Sequence, residues 1–204
     1  MKKLFFLSLI ILFSLSSYVW ATPVYFETDL SKSSVDLGGT TSSSFGFFGS
    51  GTLTATLAPS LEDTTFTLDD GQTQSFDFFE FDVDAWGFAG GDFTVEATLA
   101  FATPEGTEVT GNGSGVWGTA FGVVSGGFLT WTNLPSTFTL LDGNELTVAF
   151  DEGVDLFSGS SVMIQATVTN NGGAPAPVPE PATMLLLGSG LTGLALYRRK
   201  QKKS

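Results

Sequence analysis

From residue 22 to about residue 170, apolar side chains alternate with threonine, serine or acidic ones, and almost nothing repeats at helical spacing. A period of two places successive side chains on opposite faces of a strand, so this stretch can bury a core only by forming sheets. The clearest runs are Thr52-Leu53-Thr54-Ala55-Thr56-Leu57, Thr65-Phe66-Thr67-Leu68, Phe93-Thr94-Val95-Glu96-Ala97, Phe128-Leu129-Thr130-Trp131, Glu145-Leu146-Thr147-Val148-Ala149-Phe150 and Val162-Met163-Ile164-Gln165-Ala166-Thr167-Val168. Threonine, valine and phenylalanine suit a pleated, half-buried surface. Asp70-Gly71 and Asp142-Gly143 are turn dipeptides, and Gly90-Gly91 and Gly126-Gly127 read as further breaks between strands. About nine or ten short strands without intervening helices predict an all-β fold, an antiparallel β-sandwich of jelly-roll or immunoglobulin-like type. Seventeen phenylalanines lie beyond residue 21, enough aromatic area to fill the space between two sheets.

The run Phe76–Trp86 separates its faces cleanly. Phe79, Phe81, Val83 and Ala85 share one side, expected in the core, and Glu80, Asp82 and Asp84 share the other. Three carboxylates in a row repel one another, which a calcium ion would relieve. The same row also serves as a solvated outer face that discourages edge pairing, the reading favoured here. Asp69-Asp70-Gly71 and Asp151-Glu152-Gly153-Val154-Asp155 are likewise rich in oxygen ligands, but lack the spacing of a twelve-residue calcium loop. Calcium therefore stays an alternative, and no cofactor is expected.

The chain has no histidine and no cysteine. Disulfides and thiolate metal sites are thereby excluded, and so is a catalytic triad of the usual form, because nothing activates a serine. Glycoside hydrolysis needs only two carboxyl groups at a set separation, for which Glu80 or Asp82 with Glu96 is one conceivable pair among dozens. Trp86, Trp117 and Trp131, with Gly111-Asn112-Gly113-Ser114-Gly115 beside the second, allow a sugar-stacking platform, although tryptophan in a sandwich more often belongs to the core. Leu134-Pro135-Ser136-Thr137 imitates part of a sortase site, but Phe138 stands where glycine is required, so it reads as a loop entering a strand.

Charge is divided unevenly along the chain. Lys2 and Lys3 lie at the front and five of the other six cations at the back, leaving Lys32 as one cation against twenty acids within 22–178, a net of −19. Such a field repels phosphate backbones and offers no basic stripe, so nucleic acid is excluded as a partner.

The two ends carry addresses. Lys2-Lys3, the apolar stretch from Leu4 to Phe13 and the small-residue site Val19-Trp20-Ala21 have the order of a secretory signal peptide, 1–21, with cleavage expected between Ala21 and Thr22. The acidic domain, 22–170, is followed by a Gly/Pro linker, 171–178, that cannot propagate a helix or a ladder. Then come Pro179-Glu180-Pro181, an uncharged segment 182–197 expected to form a transmembrane helix, and the cluster Arg198-Arg199-Lys200-Gln201-Lys202-Lys203. An apolar helix closed by a basic cluster stops transfer with the cations on the cytoplasmic side, which places the acidic domain outside.

Val178-Pro179-Glu180-Pro181, the Leu/Gly-rich span with Met184-Leu185-Leu186-Leu187-Gly188, and the basic cluster Arg198, Arg199 and Lys200 together resemble a PEP-CTERM sorting domain, 179–204. The resemblance covers about the last 27 residues. It implies a bacterium with an outer membrane and extracellular polysaccharide, recognition by an exosortase in the membrane, and cleavage near Pro179-Glu180-Pro181, this chain being the substrate. The function expected is that of an exported, non-enzymatic envelope or extracellular-matrix protein. It is held transiently in the inner membrane, then lies at the cell surface or outside the cell, associated with exopolysaccharide or biofilm. The alternatives are a carbohydrate-binding sandwich, with or without calcium, and a carboxylate-pair glycosidase.

Overall fold

The computed structural model describes residues 23–120, 126–154, 160–173, 188–190 and 201. They belong to two units, Thr22–Gly173 and the two ends of the chain, Met1–Ala21 with Ala174–Ser204. The described part of the first unit is built of twelve strands: β1 Val24–Thr28, β2 Ser34–Gly39, β3 Ser42–Ser44, β4 Gly49–Leu57, β5 Thr65–Leu68, β6 Thr73–Gly87, β7 Ala89–Thr103, β8 Thr107–Thr119, β9 Phe128–Trp131, β10 Ser136–Thr139, β11 Asn144–Phe150 and β12 Ser160–Gly173. One sheet has the order β5-β1-β7-β8-β9, with β2 also on β7; the other has the order β10-β11-β12-β6-β4-β3. Every pairing is antiparallel.

The sheets face each other across one apolar core, as expected for an antiparallel sandwich. Phe81 of β6 meets Phe93 of β7 at 5.5 Å between ring centroids, and Phe79 meets Trp131 of β9 at 6.4 Å. Phe26, Phe78, Phe79 and Phe81 are fully buried. Each ring removed from water in this way contributes about 1.5–3 kcal/mol. The core formed by the described residues lies within Thr22–Gly173, so that unit is equipped to fold by itself.

Several expected details change. Four strands are long, thirteen to fifteen residues each, where short ones were expected. Gly90-Gly91 does not break a strand but lies inside β7, where the missing side chains admit close neighbours: a Cβ on Gly91 would lie 2.5 Å from Thr40 Cβ. Asp70-Gly71 does turn, with Gly71 at φ +76°, yet it carries the chain from one sheet to the other, since β5 pairs with β1 and β6 with β12 and β4. Asp142-Gly143 closes a true hairpin between β10 and β11. Strand β12 continues to Gly173, three residues into the stretch read as linker, because the register shifts at Glu145/Leu146 and Gly172 at φ +79° absorbs the kink. The Asn170 side chain fixes this bulge, donating to Leu68 O at 3.1 Å and accepting from Gly172 N at 3.0 Å.

Two irregularities shape the core. In β6 the register slips opposite Ile164/Gln165, so that Phe78 and its neighbour Phe79 are both buried, a break in alternation that a period of two does not forecast. In β8 the inward positions of Gly111-Asn112-Gly113-Ser114-Gly115 are the glycines, and the polar residues face out. A Cβ would stand 2.7 Å from Leu134 and 2.9 Å from Phe150 at Gly111, 2.9 Å from Trp131 at Gly113, and 2.7 Å from Phe93 at Gly115. The glycine run is thus a trough for large side chains.

Overpacking this trough costs about 1–3 kcal/mol. Gly113→Val is expected to lower the unfolding free energy of residues 22–173 by that amount, read as a lower urea midpoint at unchanged m-value, while Ser114→Val on the outer face changes it by less than about 0.5 kcal/mol. Equal effects of the two substitutions would contradict the trough.

Candidate functional site

The address residues lie outside the described residues: Ala21 and Thr22, Val178, Pro179, Glu180 and Pro181, and Arg198, Arg199 and Lys200. Within 182–197, residues 188–190 are helical and exposed, as is Gln201 beyond it. Among the described residues no helix is long and apolar enough to cross a membrane.

In the domain, β6 divides its faces as its alternation requires. Phe79, Phe81 and Val83 are buried, Asp82 and Asp84 exposed and Glu80 half-buried on the outside. No three carboxylates gather among the described residues in a group that could hold a metal. Asp151 instead spends its groups locally, its Oδ2 accepting from Gln165 N at 3.2 Å and its carbonyl from Trp131 Nε1 at 2.9 Å. The carboxylate pair also fails to form. Glu80 and Asp82 stand on the outer face of one sheet and Glu96 on the outer face of the other, with sheets about 10 Å apart between them. The side chains point away from each other across the sandwich.

Lys32 is committed. Its Nζ lies 3.2 Å from Asp29 Oδ2, while Asp29 Oδ1 accepts from Ser31 Oγ at 2.6 Å and from Ser31 N at 3.0 Å. The Ser31 hydroxyl first, and Lys32 after it, hold the Asp29 carboxyl below its ordinary range.

The three tryptophans separate. Trp117 is 2 % exposed and donates from Nε1 to Thr40 O at 2.7 Å; Trp131 is 9 % exposed. Both serve the core, and the glycine run that suggested a platform beside Trp117 is the trough described above. Trp86 is 59 % exposed, next to the corner where β6 passes into β7.

That corner gathers exposed aromatic rings in a domain whose other phenylalanines mostly lie inside. Phe45, Phe47 and Phe48 are carried on the 3₁₀ turn Gly46–Phe48 and its entry, with Trp86 and Phe88 on the facing segment. Phe47 is 98 % exposed. Phe88 N donates to Phe48 O at 2.9 Å, Phe45 N to Gly49 O at 2.9 Å and Gly90 N to Ser43 Oγ at 2.7 Å, so the two segments are tied together. Glycine is required here: a Cβ on Gly87, at φ +67°, would lie 2.1 Å from Phe48 O. Phe45, Phe48 and Phe88 with Ala89, Gly90 and Thr119 line a concavity of about 460 Å³. The phenylalanines at this corner were not singled out by alternation. Their signal was Phe45-Gly46-Phe47-Phe48-Gly49, an aromatic cluster in glycine-bounded turn chemistry, where no core-facing strand exists to bury it.

The corner stands far from the point where the tail joins. Thr73 at the start of β6 pairs with Thr169, and Gly71 N donates to Asn170 O, so the beginning of β6 lies beside the end of β12. Gly87 is fourteen residues on, about 45 Å along an extended strand.

Of the three tryptophans in 22–173, acrylamide is expected to quench one fully and two weakly, and Trp86→Phe is expected to remove the quenchable component. Persistence of that component in the variant would show that Trp117 or Trp131 is open to solvent.

Comparison with protein families matches residues 177–200 to the PEP-CTERM protein-sorting motif. No curated protein and no solved structure matches the chain. The match covers the Pro-Glu-Pro triplet, the uncharged segment and the first basic residues, the features that carried the resemblance, and does not extend into the sandwich. The C-terminal tail of this chain is a PEP-CTERM protein-sorting motif.

Proposed function

We infer that this chain is an exported, non-enzymatic envelope or extracellular-matrix protein, delivered by its tail to an exosortase and displayed or released outside the cell. The motif at 177–200 carries the reading, since its presence marks a substrate for sorting. The leader 1–21 starts export, with cleavage between Ala21 and Thr22. Segment 182–197 holds the chain in the inner membrane, with Arg198, Arg199 and Lys200 on the cytoplasmic side. The exosortase acts near Pro179-Glu180-Pro181, and the acidic sandwich then resides in exopolysaccharide or biofilm.

A non-enzymatic role is supported by the lack of histidine and cysteine and by the opposite facing of Glu80 or Asp82 and Glu96. The net charge of −19 in 22–178 disfavours polyanionic partners and helps keep such a domain soluble in a crowded matrix. One observation, the exposed Trp86 corner, favours a carbohydrate-binding role for the domain as well.

Replacing Pro179, Glu180 and Pro181 together by alanine tests the sorting role in the native host. The expected result is accumulation of the variant in the membrane fraction and its loss from the outer surface and medium. An unchanged distribution would mean that the tail acts only as a simple anchor.

A further inference from the structure

Register places two rows of side chains on the outer face of the sheet beside the aromatic corner. Trp86, Ser50 and Ser44 form the row nearest the corner, across β6, β4 and β3; Asp84, Thr52 and Ser42 form the next. Asp82 and Thr54 follow on β6 and β4. With strands about 4.8 Å apart and alternate residues about 7 Å apart, the two complete rows span about 10 Å by 7 Å, the footprint of two linked pyranose rings.

The same sheet treats its hydroxyls differently at its other end. There Thr137, Thr147, Thr169 and Thr73 stand in one row across β10, β11, β12 and β6. Their hydroxyls pair with one another, Thr137 with Thr147 at 3.0 Å and Thr73 with Thr169 at 2.9 Å, and Ser75 pairs with Thr167 at 2.8 Å. At the corner, Ser42, Ser44, Ser50, Thr52, Asp84 and Trp86 make no side-chain hydrogen bond to any described residue. Among the described residues these donors and acceptors are thus held on strands without an internal partner.

We propose that this face is a binding site for a neutral glycan, with the exposed ring of Trp86 stacking on the apolar face of a pyranose and Asp84, Ser50 and Thr52 meeting its hydroxyl rim. The ligand must satisfy two neighbours at once. Trp86 offers an apolar π-face, and Asp84, one row away on the same side, is a carboxylate that an acyl chain or an apolar protein surface would desolvate without compensation. A sugar carries both chemistries, an apolar C–H face and hydroxyls that donate to a carboxylate. Asp82 and Asp84 on this face offer no positive charge to an anionic sugar or an anionic lipid. Phe45, Phe47 and Phe48 extend the apolar surface around the corner. This deepens the reading of a matrix protein by naming a contact, but it concerns the domain alone, so its failure leaves sorting untouched.

The test is isothermal titration of residues 22–173 with cellohexaose and with mannohexaose, in parallel with hexalysine and with phosphatidylcholine vesicles. Saturable heat is expected with at least one hexaose, accompanied by a blue shift of tryptophan emission. Trp86→Ala is expected to weaken binding about tenfold or more and to abolish the shift, the loss corresponding to one aromatic contact. Asp84→Asn, at an exposed site that leaves the core intact, is expected to weaken binding severalfold, which keeps the test valid should Trp86→Ala alter the melting temperature. No heat with either hexaose, undiminished binding in both variants, or binding to hexalysine or vesicles alone would overturn the proposal.

Discussion

The sandwich depends on the fit between glycines on one strand and rings from its neighbours. Gly111, Gly113 and Gly115 leave the middle of β8, between Val109 and Trp117, without inward side chains, and Phe93, Trp131, Phe150 and Leu134 occupy the room they leave. Trp131 and Phe150 stack edge to face at 5.3 Å, and Phe150 lies 4.7 Å from Phe78 at the bulge of β6. The trough thus receives Phe93 and Trp131 from the strands on either side of β8 and Phe150 from the facing sheet, where Phe150 meets the bulge of β6. With no cysteine in the chain to cross-link its layers, close packing and the ladders hold them together.

Alternation was enough to place the sheet faces. Phe79, Phe81 and Val83 are inside and Asp82 and Asp84 outside because a pleated strand leaves no other choice. The bulge at Phe78 was invisible, since an inserted residue follows from pairing between β6 and β12, nearly ninety positions apart, and not from any local pattern. Glycine pairs misled for a related reason. Gly90-Gly91 has the chemistry of a break, but close approach to Thr40 and Trp117 keeps it in the ladder. Among the tryptophans, composition could not distinguish Trp86 from Trp117. The difference lies in which face each occupies and in the carbonyl of Thr40 that receives the Trp117 ring nitrogen. The tail was the most legible part because its order of Pro-Glu-Pro, uncharged span and basic residues is linear and needs no fold to be recognised.

Polarity along the domain connects these parts. The chain leaves the sandwich at Gly173, beside the beginning of β6, and the exposed aromatic corner lies at the far end of that strand. Hydroxyls near the exit are paired among themselves, whereas Ser42, Ser44, Ser50 and Thr52 near the corner make no side-chain hydrogen bond among the described residues. Acids cover both outer faces, with Lys32 tied to Asp29 as the lone cation of the domain. The exposed aromatic rings therefore lie at the end of β6 opposite the one beside Gly173.

The central claim, that this chain is a sorted substrate, is tested most directly by the intact mass of the protein recovered from the surface and medium of its native host, with and without the exosortase. The account predicts a mass near that of residues 22 to about 180 in the presence of the enzyme, and a form that retains the tail in its absence. A tail retained in both strains would contradict it and leave Pro179-Glu180-Pro181 as an incidental triplet in front of an ordinary membrane anchor.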